Sequence, residues 1–268
     1  MNKVTIVTKK VFIYTVRRGD TLFRIARRFG SSVRAIEQAN HLVPPVTDPG
    51  LIFPGNVLAI PSLSESGKVF YVVKPGDTVS RIATRFSTFT DLVSGINKLS
   101  NPNLIFPDQQ FLVPTFIYEI QSGDTLSAIS ARYGIPLLSI IKANMGRPGF
   151  QIDLIWPKFH LIIPLTTSQN IVVWNPLPGT RVVSGQRVEG QGRAFEAVLN
   201  HELRDANGVI VSNERFTLAD AGGPEYGNFI GTLPFDRTPT ASTGELHVFT
   251  RSAKDGSIQD LVKIKVFF

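Results

Sequence analysis

One pattern occurs three times in this chain and constrains its architecture more than any other feature. The string YTVRRGDTL at Tyr14–Leu22 returns as YVVKPGDTV at Tyr71–Val79 and as YEIQSGDTL at Tyr118–Leu126. Each copy is followed by an Ile-Ala or Ile-Ser pair (Ile25-Ala26, Ile82-Ala83, Ile129-Ser130) and then by an asparagine at a matching offset (Asn40, Asn97, Asn144). Each closes on an eleven-residue segment: LIFPGNVLAIP at Leu51–Pro61, LIFPDQQFLVP at Leu104–Pro114 and LIWPKFHLIIP at Leu154–Pro164. Ordered landmarks at a fixed period mean copies of one supersecondary unit, so the first 165 residues read as three small repeats.

Elementary chemistry gives the unit its shape. In repeat 1, Tyr14-Thr15-Val16 is a short strand of aromatic and β-branched residues. Gly19 can take a positive φ and turn the chain. Asp20 or Thr21 can then cap a helix with a side-chain oxygen. Leu22, Ile25, Ala26 and Phe29 fall on one helical stripe, and Gly30 ends that helix. Ser31 or Ser32 opens a second helix with Val33 and Ile36 inward, and Asn40 suits the left-handed position after its last turn. Val57–Ile60 is a second strand, closed by Pro61. The order is strand, helix, helix, strand; the two strands can pair antiparallel with both helices on one face.

This pattern resembles the LysM family, the βααβ module of bacterial wall proteins, over Tyr14–Ser62, Tyr71–Thr115 and Tyr118–Leu165. The resemblance implies a shallow groove between the loop after the first strand and the loop before the second. Its ligand would be an N-acetylglucosamine-containing chain such as peptidoglycan or chitin, held by backbone hydrogen bonds with apolar side chains beneath the sugars. It assigns Gly19, Asp20, Thr21, Leu22, Gly50, Leu51 and Ile52 in repeat 1 and Gly76, Asp77, Thr78, Val79, Asn103, Leu104 and Ile105 in repeat 2. In repeat 3 the matching positions are Gly123, Asp124, Thr125, Leu126, Asp153, Leu154 and Ile155. Beside that reading stands a purely structural one. Asp20, Asp77 and Asp124 are read as helix caps before ligands, and Leu22 and Leu126 as core. Asn40, Asn97 and Asn144 are read as helix ends, and Phe53, Phe106 and Trp156 as braces ahead of sugar-stacking rings. Repeat 2 departs from the pattern at Ser87, where the others have Gly30 and Gly134; Asp108 and Lys158 replace Gly55 in repeats 2 and 3. Binding is therefore expected to be strongest in repeat 1 and weakest in repeat 3.

After residue 165 the period changes. Strands are expected at Ile171–Trp174, Gln186–Gln191, Ala197–Arg204, Val209–Glu214, Asn228–Leu233, Glu245–Arg251 and Leu261–Phe267, separated by turn signals such as Leu177-Pro178-Gly179 and Lys254-Asp255-Gly256. Seven short strands in about 100 residues suggest an immunoglobulin-like sandwich. The segments NPLPGTRV (Asn175–Val182), VEGQGRAFEA (Val188–Ala197), LRDANGVI (Leu203–Ile210) and GELHVFTRSAKDGS (Gly244–Ser257), with the terminal VKIKVFF, resemble the Gmad-type immunoglobulin-like domain of bacterial spore germination proteins. That resemblance implies a spore-forming bacterium. The fold class is thus α+β multidomain: three βααβ modules and an all-β sandwich. The domains are residues 1–13 as an N-terminal extension or strand, 14–62, 71–115 and 118–165 as modules, and 171–268 as the sandwich. Residues 63–70 are a linker of flexible composition, and 166–170 are a second linker; the short step between repeats 2 and 3 implies that those two pack together.

Charge is uneven. The net charge is +7, with 18 Lys and Arg against 10 Asp and Glu up to Leu165, and 10 against 11 beyond it. The excess is densest at Arg17, Arg18, Arg24, Arg27, Arg28 and Arg34. Such a surface either attracts a polyanion, nucleic acid or acidic wall polymer, or is the solvated face of a helix. The absence of recognition-helix and aromatic RNA-binding motifs argues against nucleic acid. The chain has no cysteine, which removes thiolate chemistry and cysteine-ligated zinc. No apolar run reaches the roughly 18 residues of a membrane span, and the opening MNKVTIVTKKVFIYTV reads as a strand without a recognisable signal peptide. Four histidines, His41, His160, His201 and His247, do not form a ligand motif. His201 and His247 lie on expected sandwich strands and can be neighbours. Glu196 reads as a hydrogen-bonding strand residue; a lone carboxylate lacks the partner that glycan hydrolysis usually requires. No catalytic residue, metal or cofactor is expected. The chain reads as a non-catalytic glycan binder of the spore cortex, coat or cell wall, acting in sporulation or germination, with the sandwich contacting a partner. The alternatives are a spore or wall assembly protein whose modules contact protein, and an accessory subunit of a wall hydrolase.

Overall fold

The computed structural model describes residues 6–268. It divides into two compact units. The first holds the residues up to Ser87 with Ser100–Ala131 and Ile135–Pro164; the second holds Thr88–Leu99, Arg132–Gly134 and Leu165–Phe268. Of the opening stretch read as a strand, Met1–Thr5 lies outside the described residues.

All three repeats have the expected order. Repeat 1 runs β1 (Lys9–Thr15), α1 (Leu22–Phe29), α2 (Val33–Asn40), β2 (Val57–Glu65). Repeat 2 runs β3 (Val69–Val72), α3 (Val79–Arg85), α4 (Thr90–Ile96), β4 (Gln110–Leu112), and repeat 3 runs β5 (Thr115–Glu119), α5 (Leu126–Tyr133), α6 (Leu137–Asn144), β6 (His160–Pro164). Each strand pair is antiparallel, closing on Thr15↔Val57, Val72↔Gln110 and Glu119↔His160. In repeat 1 the stripe Leu22, Ile25, Ala26 and Phe29 packs with Phe12, Tyr14, Ile36, Leu58 and Ile60 in one core.

Two local expectations need correction. Threonine, not aspartate, caps the first helix of each repeat: Thr21 Oγ1 accepts from Arg24 N (3.2 Å), Thr78 from Arg81 N (3.2 Å) and Thr125 from Ala128 N (3.1 Å). Likewise, the asparagines do not take the left-handed position. Asn40 is the last residue of α2, and the following His41 carries the positive φ of 51°. Asn40 is wholly buried, and its Nδ2 donates to Ile36 O (2.8 Å) and Ala59 O (2.7 Å) while Oδ1 accepts from Ala59 N (2.8 Å). Asn144 repeats the arrangement on Ile140 and Ile162. The asparagine thus serves as a strand partner reaching out of a helix.

The three departures from glycine keep glycine's backbone. Ser87 has φ 52° where Gly30 has 61° and Gly134 has 68°, and Asp108 (76°) and Lys158 (69°) match Gly55 (95°). A Cβ in the left-handed region costs about 1–2 kcal/mol. Ser87→Gly is therefore expected to raise stability by about 1 kcal/mol, measurable as an upward shift of the urea midpoint at constant slope.

The stretch read as a flexible linker is largely strand. β2 continues through Glu65, Ser62 is buried, and Thr8 Oγ1 donates to Glu65 at 2.7 Å. Beyond it β3 lies parallel to β1, which makes one four-stranded sheet in the order β2-β1-β3-β4. The register is informative. Tyr14 and Tyr71 are equivalent in the repeat, yet Tyr71 pairs with Ile13 and Phe70 with Phe12. A one-residue offset turns a strand's side chains to the other face. Phe70 and Val72 accordingly join the core under α1 and α2, whereas Tyr71 meets Phe86 at the end of α3, ring centroids 5.8 Å apart. Half of β3 therefore belongs to the core of repeat 1.

Repeat 3 is locked to both. Arg147, 3% exposed, donates through Nη1 to Asn144 Oδ1 (2.8 Å) and through Nη2 to Ala39 O (3.0 Å) and Asn40 Oδ1 (3.0 Å), with its guanidinium 4.1 Å from the Phe159 ring centroid. One cation thus bridges the two buried asparagines. From repeat 2, Arg85 Nη2 donates to the carbonyls of Ala143 (3.2 Å) and Met145 (2.7 Å) at the end of α6, where orphan carbonyls favour positive charge. This is the packing of repeats 2 and 3 that their short connection implied.

In the second unit all seven expected strands are present: β7 (Ile171–Asn175), β8 (Gln186–Gly192), β9 (Val198–Asp205), β10 (Ile210–Leu218), β11 (Gly227–Leu233), β12 (Thr243–Arg251) and β13 (Ile258–Phe267). They form sheets ordered β10-β9-β12-β13 and β11-β8-β7 around Val173, Val188, Leu199, Phe229, Leu246 and Ile264. The same unit takes in α4, where Asp91 accepts from Gln169 Nε2 at 2.6 Å and Gly95 faces the Tyr226 ring. Glu196 is an exposed turn residue before β9 rather than a strand residue, because Ala197 turns the chain at φ 59°.

Candidate functional site

In each repeat two loops leave the same end of the strand pair, held together by one valine or isoleucine. Val16 N donates to Asn56 O (2.8 Å) and its carbonyl accepts from Gly55 N (2.9 Å); Val73 does the same with Gln109 and Asp108, and Ile120 with Phe159 and Lys158. The first loop is a turn with glycine at its third position, where φ is positive: Gly19 (84°), Gly76 (82°) and Gly123 (84°). It closes by Asp20 N→Arg17 O (3.1 Å), Asp77 N→Lys74 O (3.2 Å) and Asp124 N→Gln121 O (3.2 Å). The second loop ends in another such turn, over Phe53-Pro54-Gly55-Asn56 and Phe106-Pro107-Asp108-Gln109, of the type with proline second and a positive φ third.

The aspartates stabilise the first turn. Asp20 Oδ2 accepts from Tyr14 Oη (2.7 Å) and Arg17 N (2.7 Å), and Asp77 Oδ2 from Tyr71 Oη (2.8 Å) and Lys74 N (2.9 Å). Asp124 pairs with Tyr118 Oη and with Gln121 N (2.9 Å) in the same way. Burial first, and then the Asp20 carboxylate, push the Tyr14 hydroxyl up to about 12, and burial followed by the Asp77 carboxylate raises Tyr71. The constant spacing of six residues from tyrosine to aspartate is the sequence signal for this lock.

The residues assigned by resemblance divide alike in all three repeats. Gly19, Thr21, Gly50 and Leu51 are exposed, as are Gly76, Thr78, Asn103 and Leu104, and Gly123, Thr125, Asp153 and Leu154. Asp20, Asp77 and Asp124 are half-buried, as are Ile52, Ile105 and Ile155, and Ile52 packs against the repeat core. Leu22, Val79 and Leu126 are core residues. The side chains left bare are therefore the leucines, at 42% (Leu51), 57% (Leu104) and 45% (Leu154), beside Phe53 at 55% and Phe106 at 54%. Exposed apolar groups at one register in three copies, over turns rich in backbone N–H groups, form a surface suited to the apolar faces and amides of a sugar chain.

Repeat 3 differs at the second loop. Trp156 stacks on His41 of repeat 1, with centroids 4.6 Å apart and planes 8° from parallel, so its ring braces. In repeat 2, Asp108 is held by Arg17 (2.6 Å) and Arg28 (2.7 Å) of repeat 1, which draws its carboxyl below the usual range. Two of the arginines in the basic cluster are therefore structural. Two further groups meet the first loop: Arg24, named above only as part of the basic cluster, and Arg81, which the sequence did not single out. Arg24 Nη1 donates to Gly19 O (3.4 Å) and Arg81 Nη1 to Gly76 O (3.0 Å); repeat 3 has Ala128 at that position.

The histidines have separate surroundings. His201 pairs with Val248 and His247 with Glu202, one step apart on adjacent strands, so the two rings face opposite ways. His201 meets Thr232 O at 3.0 Å and His247 meets Glu245 at 3.0 Å. Among the described residues, no group of three His, Cys, Asp or Glu is placed to hold a metal, and no helix is long and apolar enough to cross a membrane. His160 is pushed down to about 4 by burial and then by the charges of Arg147 and Lys9. A depressed imidazole binds its proton first in the unfolded chain, so its stability contribution is full above about pH 6.5 and is lost as pH falls toward 4. His160→Gln is expected to remove that share, read as a smaller drop in urea midpoint between pH 7 and 4 than in the unaltered chain.

Comparison with known proteins matches four stretches. The family model described as LysM domain matches residues 14–61, 71–114 and 118–164, and the model described as Gmad2, immunoglobulin-like domain of bacterial spore germination, matches 170–257. Among curated relatives, N-acetylmuramoyl-L-alanine amidase sle1 of Staphylococcus epidermidis is 30% identical over 56% of this chain and 50% of that protein. The sle1 amidase of Staphylococcus saprophyticus is 33% identical over 52% and 48%, and that of Staphylococcus aureus 25% identical over 91% and 82%. The chain spans about half the length of the first two. Among solved structures, the Bacillus cereus spore cortex-lytic enzyme SleL is 29% identical over 39% of this chain and 22% of that one, with a TM-score of 0.30.

Proposed function

We infer that this chain, which belongs to the LysM family and carries three LysM domains ahead of a Gmad2 immunoglobulin-like domain of bacterial spore germination, binds N-acetylglucosamine-containing wall or cortex glycan without transforming it. The observation that carries the reading is the threefold recurrence of one loop pair, with a glycine turn in the first loop and an exposed leucine at a fixed register of the second. The glycan-binding set is drawn from the 21 residues assigned above: the exposed members face the ligand, with the bare leucines as the apolar floor, while the core residues Leu22, Val79 and Leu126 serve only to support the loops. Shallow sites bind weakly, and several on one body gain roughly 10²–10⁴ in avidity when one polymer engages them together. The C-terminal sandwich serves interaction, the working domain boundaries are 14–62, 71–115, 118–165 and 171–268, and the place of action is the spore cortex, coat or cell wall.

Sedimentation with purified insoluble peptidoglycan, against buffer alone, tests this. The chain is expected in the pellet only with the polymer; a soluble chain in both tubes sinks the reading. Clearing of a cortex suspension by this chain alone would overturn the non-catalytic assignment. In that assignment hydrolysis of the glycan falls to a separate partner. A second reading applies to repeat 3: the Trp156–His41 stack favours a module given over to protein packing, as in a wall assembly protein. Residue-resolved shifts on titrating chitin oligomers would separate the two, since the packing reading leaves Leu154 unmoved.

A further inference from the structure

We propose that Arg24 and Arg81 make the first two loop pairs selective for glycan that carries carboxylates, while the third pair is indifferent to ligand charge. This rests on the glycan reading and deepens it. Both arginines are exposed on the first turn of the helix that follows the glycine turn, and each spends one N–H on that turn's carbonyl, Gly19 O or Gly76 O. The bond fixes the guanidinium beside the loop assigned to the ligand. A guanidinium has five N–H donors in a planar fork, so the remaining ones stay available to an incoming carboxylate.

The neighbouring charges sharpen the contrast. Arg17 and Arg28 are engaged with Asp108, and Lys74 lies 3.4 Å from Asp77. Around the first loop of repeat 1 Arg18 is exposed as well. Repeat 3 has Gln121, Ser122 and Ala128 at the matching positions, and on its second loop the exposed Asp153 and Lys158 offset each other in charge; the second loop of repeat 1 carries one exposed carboxylate, Asp48. The first loops of repeats 1 and 2 are thus cationic, and the third loop pair is neutral. Chitin is uncharged; glycan containing N-acetylmuramic acid bears carboxylates on its lactyl groups or stem peptides. The arginines add an attraction for the second polymer that the first cannot use.

Calorimetric titration of the full chain tests the assignment with two probes of equal sugar number: chitohexaose, and a hexasaccharide containing N-acetylmuramic acid with free carboxylates. At low salt the muramic probe should bind about two- to fivefold more tightly, as expected of exposed charge pairs. The margin should vanish near 1 M salt, where charges are screened beyond about 3 Å. The double variant Arg24→Ala/Arg81→Ala should lose the margin and keep chitohexaose affinity within about twofold. Ala128→Arg should widen the margin. A double variant that keeps the margin, or that weakens both probes equally, overturns the assignment. Failure of the unaltered chain to bind either probe overturns the glycan reading itself and this inference with it.

Discussion

Replacing Asn40 by alanine is expected to lower the unfolding free energy of the repeat unit by about 3–5 kcal/mol. The side chain is wholly buried and joins α2 to β2 through both groups of Ala59, at 2.7 and 2.8 Å. Its removal leaves a buried N–H and a buried carbonyl unsatisfied, at about 1–3 kcal/mol each, and deprives Arg147 of one acceptor. Denaturant unfolding followed by Trp156 emission, in a background where Trp174 is phenylalanine, measures the change. A loss under 1 kcal/mol would show that water or a neighbour replaces the amide. Because Asn40 and Arg147 share a bond, Arg147→Met should cost less in the Asn40→Ala background than alone; additive losses would mean that the two are uncoupled.

The second large effect is on binding. Changing Leu51, Leu104 and Leu154 together to aspartate is expected to reduce retention on peptidoglycan by at least about 100-fold, because avidity multiplies the loss at each site. The fold should survive, since each side chain is roughly half exposed. The unfolding midpoint should shift by little, in keeping with about ±0.5 kcal/mol for surface changes. Any single leucine substitution should matter far less than the triple. A triple variant that still pellets with the polymer, at an unchanged midpoint, would remove the loops from the binding surface.

The elements were legible because they are local. The helical stripe of Leu22, Ile25, Ala26 and Phe29, the turn glycines and the seven turn-bounded strands of the sandwich follow from local sequence, and each lies within a few residues of where the pattern puts it. The capping residue was ambiguous, since Asp20 and Thr21 are both short oxygen acceptors beside the helix start. The tyrosine six residues back settles it by engaging the aspartate. What the pattern could not disclose is how the copies meet. The β1–β3 register depends on Val11, Phe12 and Ile13, which precede the repeated string. Arg147 sits in a stretch of repeat 3, Met145–Phe150, with no counterpart that the repeat comparison could align. Loop assignments were legible as positions; which of their side chains are bare and which braced had to come from the packing, as with Leu51 against Trp156.

The parallel alignment of β1 with β3 separates repetition from modularity. Cut the chain near Ser66, and the second copy would be left with an unpaired backbone edge along β3 and with Phe70 and Val72 stripped of the rings and aliphatic groups that cover them. Shuffling single copies among proteins, as beads on a string would permit, is closed to this arrangement. Any exchangeable piece must hold at least the first two copies together.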